Sequence, residues 1–241
     1  MSSPTGSQGE HMLQSTAGAT QPDGLEETTD TFYNSNLRIT QPRQGYRFSA
    51  DAVARAEFIR IRYTESLLDL CSGVGIIPLL VWTRSPYRLA VGVELQKSLV
   101  DLADCNIAQN NLQKSLHILR ADVRSLTVHD FQWIPSFQCD GTFDVVSANP
   151  PYWPVRKGRL NPNPQKAAAK HETHLTLLEL LKTCKLFLKP RGCFYLSHRL
   201  EREEEVLMGF HEQGFRLFQT KRPSGQRELI LFEARLEAGK D

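Results

Sequence analysis

The chain predicts an α/β fold: a doubly wound, mostly parallel sheet of seven strands, helices on both faces, and an antiparallel hairpin at its C-terminal end. Three observations predict it. From residue 66 onward, short apolar runs alternate with amphipathic stretches, the pattern of repeated β-α units on a parallel sheet. The first run passes into Asp69-Leu70-Cys71-Ser72-Gly73-Val74-Gly75, a small-residue turn that leads into a helix. The last two runs flank Pro223-Ser224-Gly225 closely enough to pair antiparallel.

Residues 1–30 are rich in Ser, Thr, Gly and Gln and contain Glu10, Asp23, Glu26, Glu27 and Asp30 without any Lys or Arg. With little to bury, they are expected to form a disordered acidic leader. Residues 31–241 then form a single domain, of which 31–62 is an N-terminal extension. Phe32 to Phe48 is a polar lead-in. Ser49 suits a helix N-cap, because Ala52, Val53, Ala56 and Ile59 follow as an apolar stripe. The elements expected next are strand 66–70, helix 76–82, strand 89–94, helix 97–110 and strands 116–121 and 143–148. After these come helix 174–187, with Leu178, Leu181 and Leu188 on one side, strand 193–197, and helix 201–213 ended by Gly214. Strands 215–220 and 228–234 complete the sheet.

The 241 residues suit one well-cored domain and would make two cramped ones. The net charge of +2 conceals an asymmetry. With the five leader acids set aside, 31–241 holds 29 basic and 22 acidic residues, a net of +7. That balance fits a polyanionic partner without requiring one. The five cysteines form no Cys-x-x-Cys pair and are odd in number, so they are expected as reduced, mostly buried thiols. No apolar run approaches the ~20 residues of a membrane span, and the N-terminus lacks the basic start and apolar stretch of a signal peptide. A cytoplasmic location follows by elimination.

The chemistry-bearing stretch is Asn149-Pro150-Pro151-Tyr152 at the end of the apolar run 143–148. It suits methylation of a planar, poorly nucleophilic NH2 group. The Asn149 side-chain oxygen and the Pro150 carbonyl can accept both amine hydrogens, while the two prolines stiffen the backbone that aims them. Tyr152 would stack on the flat face of the acceptor, with Trp153 extending that platform. The simpler alternative is a Pro-rich turn that ends a strand.

A cofactor site is expected at the neighbouring strand ends. Ser72, Gly73 and Gly75 let a ligand approach the backbone, close to Asp69. Pro78 stands where a dinucleotide fingerprint requires its third glycine, so no pyrophosphate cradle is indicated. Glu94, followed by Leu95, is placed to take the hydroxyls of an adenosine ribose. Asp122, followed by Val123, is placed to meet the adenine. Together these describe a nucleoside-bearing cofactor without phosphates, for which S-adenosylmethionine is the candidate. Each acid taken singly also fits a capping role.

Between Val145 and His171 stand Arg156, Lys157, Arg159, Lys166 and Lys170 and no acid. This basic stretch after the tetrad suits phosphate contacts, although charge runs also occur as plain solvated surface. Arg216, Lys221, Arg222 and Arg227 offer a second basic patch. Tyr46, Arg47 and Phe48 are candidates to lid the pocket. His171 and His174 are separated by two residues rather than the three of a zinc helix, and no third ligand is evident, so no metal is expected. The chain has no Gly-x-Ser-x-Gly elbow, which sets aside an α/β-hydrolase.

These residues resemble the Rossmann-like class I S-adenosylmethionine-dependent methyltransferases, and more narrowly the tRNA1(Val) (adenine-37-N6)-methyltransferase family. The segments that carry the narrower resemblance are Gln44 to Val53, Gly73 to Leu79, Val91 to Gln96, Asn161 to Ala167, and Lys170-His171-Glu172. The resemblance covers about 31–239. It implies a methyltransferase domain with a substrate-side extension over 31–62. It also implies N6-methylation of a flipped-out tRNA adenine, with adenine 37 of a valine tRNA as the expected target, and Tyr46, Arg47, Phe48, Trp153, Arg156, Lys157, Lys166, Lys170 and His171 on the substrate side. One departure is Cys71 at the usual first glycine of the cofactor loop. The Asn-Pro-Pro-Tyr motif is shared with DNA adenine, rRNA guanine and protein glutamine methyltransferases. Another NH2 acceptor therefore remains an alternative, as does a module that binds cofactor or RNA without catalysis.

Overall fold

The computed structural model describes residues 14–17, 27–32, 37–43, 47, 48, 50–134, 137, 142–150 and 175–237. Three strands come first: β1 (Gln14–Ala17), β2 (Glu27–Phe32) and β3 (Leu37–Pro42), followed by α1 (Ala50–Phe58). The β-α units then run β4 (Ser66–Leu70), α2 (Ile76–Arg84), β5 (Leu89–Glu94), α3 (Lys97–Gln109), β6 (Leu116–Arg120) and β7 (Phe143–Ala148). The remainder is α4 (Leu177–Phe187), β8 (Leu188–Arg199), α5 (Glu203–Gln213), β9 (Phe215–Lys221) and β10 (Leu229–Leu236).

The main sheet has seven strands in the order β6-β5-β4-β7-β8-β10-β9. β6, β5, β4, β7 and β8 are mutually parallel, and β10 is antiparallel to both of its neighbours. The strand order reverses between β4, whose chain moves outward to β5, and β7 on its other side. That crevice is where an open α/β sheet accommodates a ligand. Alternate side chains of each strand serve two cores. Leu67, Val145 and Leu231 face Ala52, Leu79 and Leu102 of α1, α2 and α3. Leu68, Val146 and Ile230 face Leu180, Phe187 and Phe210 of α4 and α5. Burial on both faces is why β4, β5 and β7 read as nearly continuous apolar runs.

Three expectations need correction. Within the stretch expected as a leader, Gln14–Ala17 and Glu27–Asp30 are strand, and β2 pairs antiparallel with β3. Thr28, Thr29 and Thr31 suit a strand, and Leu37 and Ile39 of β3 are buried against the α1-α2-α3 core. The fifth strand runs over 188–199 rather than 193–197, because Lys189-Pro190-Arg191-Gly192 reads as a turn yet continues the strand with Arg191 at φ 63°. In the terminal hairpin, whose order on the sheet the sequence leaves open, the second strand docks on β8. β10 carries Leu229, Ile230, Leu231, Phe232 and Ala234, all buried, so it takes the interior place, and charged β9 takes the edge. Of the four described cysteines only Cys184 is buried, and Cys105 is exposed. All four are free thiols.

The helix expected from 174 begins at Leu177, where Thr176 and Glu179 form a reciprocal capping box. Ser49 and His174 lie outside the described residues. No helix among the described residues is long and apolar enough to cross a membrane.

Candidate active site

The carboxyl ends of β5, β4 and β7 bring the predicted groups together. Leaving β4, the chain takes left-handed backbone at Cys71 (φ 60°), Gly73 (φ 58°) and Gly75 (φ 77°). Glycine adopts that region without strain, whereas Cys71 carries a Cβ that opposes it. The Cys71 backbone is thus a real departure from a glycine loop. The coil is pinned to β5 by the Ser72 N–H donating to the Val93 carbonyl at 3.0 Å. Gly92 makes the approach possible: a Cβ there would sit 2.5 Å from Ser72 Oγ and 2.5 Å from Ile118 Cδ1.

Asp69 lies beneath the loop, 1% exposed. Its carboxylate accepts from Ser72 Oγ at 2.7 Å and from Ser147 Oγ of β7 at 2.5 Å. Burial pushes its pKa up, while the nearby Arg55 charge and the two hydroxyls oppose that rise. Asp69 thus acts as the buried tie between loop, β4 and β7.

Glu94 closes β5 and is also buried. One carboxylate oxygen accepts from the Gly73 N–H and the other from the Gln96 N–H, both at 2.9 Å. Burial raises its pKa against those same N–H donors. Leu95 beside it is 43% exposed, an apolar surface next to an acceptor-only group. After β6, Asp122 caps a short 3-10 turn by accepting from the Arg124 N–H, and its carboxylate also holds the Arg124 guanidinium at 2.6 Å. Asp122 therefore lies at the expected strand end but is already engaged by Arg124. Val123 is buried in the same turn.

Asn149 follows β7 directly, and its N–H donates to the Leu70 carbonyl at 3.4 Å, which places it beside the cofactor loop. Ser197 of β8 donates to Asn149 Oδ1 at 2.8 Å. Pro150 is buried next to it. Tyr152, Trp153, Arg156, Lys157, Lys166, Lys170 and His171 lie outside the described residues, as does Tyr46. Arg47 is held by the N-terminal sheet: it donates to Thr28 Oγ1 at 2.6 Å and to the Pro42 carbonyl at 2.9 Å, and pairs with Asp30 at 3.1 Å. Phe48 packs on Phe32 with ring centroids 5.5 Å apart.

Sequence reasoning missed Ser147, Ser197, Arg55, Gly92 and Asn106. The two serines are small polar residues inside apolar strand runs, a visible signal. Arg55 interrupts the apolar stripe of α1 and is only 2% exposed. Asn106 of α3 is fully buried. It donates to the Thr40 carbonyl at 2.9 Å and the Val74 carbonyl at 3.0 Å and accepts from the Thr40 N–H at 2.6 Å, clasping β3 to the cofactor loop.

A doubly wound sheet in this order, with a glycine-containing loop after β4 and an acid ending β5, is the architecture of the class I S-adenosylmethionine-dependent methyltransferases. The chain is similar over most of its length to the tRNA1(Val) (adenine(37)-N6)-methyltransferase of Tolumonas auensis. The two are 24% identical over 214 residues, covering 86% of this chain and 84% of that one. It is also similar to the release factor glutamine methyltransferase of Aliivibrio fischeri, 26% identical over 157 residues and covering 63% of this chain and 51% of that protein. Among solved structures, the tRNA m1G37 methyltransferase of M. jannaschii aligns with a TM-score of 0.62 at 11% identity, over 88% of this chain. The chain spans 57% of that enzyme's length. No protein-family model matches the chain.

Proposed function

We propose that this protein is an S-adenosylmethionine-dependent N-methyltransferase acting on N6 of an adenine in tRNA, with adenine 37 of a valine tRNA as the specific target. The observation that carries the reading is Asn149 at the carboxyl end of β7. It is bonded to the end of β4 through the Leu70 carbonyl, and its side-chain oxygen is fixed by Ser197. The tRNA assignment draws on the similarity to the Tolumonas auensis enzyme over most of both chains.

The residues present fit the cofactor. Glu94 is an acceptor-only group, suited to paired ribose hydroxyls beside the exposed apolar Leu95. The left-handed Gly73 and Gly75 keep side chains away from the approach, and no phosphate cradle competes for it. When bound, S-adenosylmethionine supplies an already activated methyl group, so the protein contributes orientation, desolvation and charge placement. Asn149 Oδ1 and the Pro150 carbonyl accept the two amine hydrogens and turn the nitrogen lone pair out of the ring's delocalisation. Tyr152 stacks on a base turned out of the anticodon loop. The proton is lost readily once nitrogen is cationic, so no strong base is needed. Arg156, Lys157, Lys166 and Lys170 grip backbone phosphates around the tetrad, and the protein works in the cytoplasm.

Methyl transfer from labelled S-adenosylmethionine into total RNA lacking the modification, followed by nucleoside analysis, tests this. The expected product is N6-methyladenosine in one tRNA, absent with Asn149→Ala. Cofactor binding without any labelled RNA would overturn the tRNA assignment, and label in a protein glutamine would favour the acceptor of the Aliivibrio fischeri relative.

A further inference from the structure

Arg55 is a cation on α1 that the reaction does not visibly require, buried to 2% exposure beneath the tetrad. One of its terminal nitrogens, Nη1, donates twice: to the carbonyl of Ala148 at 3.2 Å and to Ser197 Oγ at 2.7 Å. Ser197 Oγ in turn donates to Asn149 Oδ1 at 2.8 Å. The guanidinium Nε–H is buried without a hydrogen-bond partner among the described residues. A charge buried on such terms is a poor device for stability alone.

The first step of this chain of bonds is fixed by chemistry and the second is read from the geometry. A guanidinium has no acceptor, so Ser197 Oγ must accept from Arg55. The hydroxyl has one proton, and in the structure it is directed at Asn149 Oδ1 at 2.8 Å. Only the oxygen of the Asn149 carboxamide can receive it. With the hydroxyl so oriented, an amide turned by 180° would set its NH2 against the Ser197 proton, donor to donor, and the hydroxyl would have to swing that proton away to accept instead. The same turned amide would present an NH2 to the acceptor amine, which also donates. The two bonds as they stand therefore favour the amide orientation in which Asn149 can accept an amine hydrogen. The second Arg55 bond, to the carbonyl of Ala148, fixes the backbone immediately ahead of Asn149.

We propose that Arg55, acting through Ser197, is a positioning residue that locks the Asn149 carboxamide in its acceptor orientation for methyl transfer. This inference rests on the reading of Asn149 as the amine-binding residue. It also makes α1, which follows the substrate-side segment Gln44 to Ser49 directly, part of the machinery under the tetrad.

The test uses the full chain, labelled S-adenosylmethionine and a pool of unmodified tRNA transcripts. Wild type is compared with Asn149→Ala, Ser197→Ala, Arg55→Met, Arg55→Lys and the Ser197→Ala/Arg55→Met double variant. Ser197→Ala removes the middle of the relay by the smallest change, and its folding is checked by circular dichroism and thermal denaturation. It is expected to lower kcat on the order of tenfold to a hundredfold, the scale of a misaligned reacting group. KM for tRNA and cofactor affinity should stay within about twofold of wild type, because uniform binding is untouched. Arg55→Met should match it, the double variant should be no worse than either single change, and Arg55→Lys should recover part of the rate. Wild-type kcat in Ser197→Ala would overturn the proposal even if Arg55→Met fails to fold. So would losses confined to cofactor affinity or thermal stability. Full activity in Asn149→Ala would instead remove the reading on which the relay rests.

Discussion

Glu94 can be tested as a single residue. Its oxygens are held by the Gly73 and Gln96 N–H groups, and burial raises its pKa above the ordinary 4.5. In the proposed role, Glu94 takes the ribose hydroxyls as a carboxylate. Cofactor affinity is therefore expected to fall on acidification with a midpoint above 4.5, as titration calorimetry across pH 4 to 7 would show. Glu94→Gln should weaken cofactor binding by roughly 1.5–3 kcal/mol, the worth of charged hydrogen bonds, and flatten that pH dependence. Asp69, Glu94 and Asn149 were legible because strand ends followed by small or proline-rich turns are visible locally. Ser197 and Arg55 stood out as polar residues in apolar patterns, but their partners were not legible, because their meaning lies in contacts 48, 93 and 142 residues apart. No local pattern encodes those separations.

Single elements depend on contacts that their own periodicity does not announce. Gly92 on β5 leaves the space that Ser72 fills, so Gly92→Ala must push both Ser72 and Ile118 aside. Because Ser72 donates to Asp69, the expected result is a cofactor affinity lowered about tenfold with the helices intact, read by calorimetry beside circular dichroism. On α3, Asn106 makes three bonds to Thr40 and Val74. Asn106→Ala leaves those backbone groups unpaired and should destabilise the protein by about 3 kcal/mol, measured by urea denaturation. Hydrogen exchange should show the loss concentrated in β3 and the cofactor loop. The strands β4 to β7 were readable because burial on both faces makes a continuous apolar run. β8 was misjudged at its start, since Pro190 and Gly192 are turn residues that here lie inside a strand. The N-terminal sheet was missed for a related reason: β2 and β3 are polar and Thr-rich, and among the described residues Leu37 and Ile39 are buried in the core with Phe32 packed against it.

For the molecule entire, acid stability should carry the mark of His198. It is fully buried at the end of β8, and burial followed by the Arg202 charge lowers its pKa to about 4. In the unfolded chain it titrates near 6.5. Between these values the unfolded state binds the extra proton, so stability is fully present above about 6.5 and is lost as pH falls toward 4. The effect is at most about 3 kcal/mol. Asp69 and Glu94 act in the opposite sense, since carboxyls with raised pKa values hold protons longer in the fold. A His198→Gln variant isolates the histidine: its stability relative to wild type should rise as pH falls from 6.5 to 4, by urea denaturation. An unchanged difference would mean that His198 keeps its ordinary pKa.

The alternation of strands and helices made the sheet and its ligand crevice predictable, while the packing order of the terminal hairpin emerged only from the contest between apolar β10 and charged β9 for the interior place. The decisive measurement is mass analysis of a valine tRNA transcript after reaction with S-adenosylmethionine, run beside a transcript carrying guanine at position 37. One methyl group at N6 of adenine 37, absent from the guanine transcript and from reactions with Asn149→Ala, is the expected result. Equal methylation of both transcripts, or none on either while a protein glutamine becomes methylated, would contradict it.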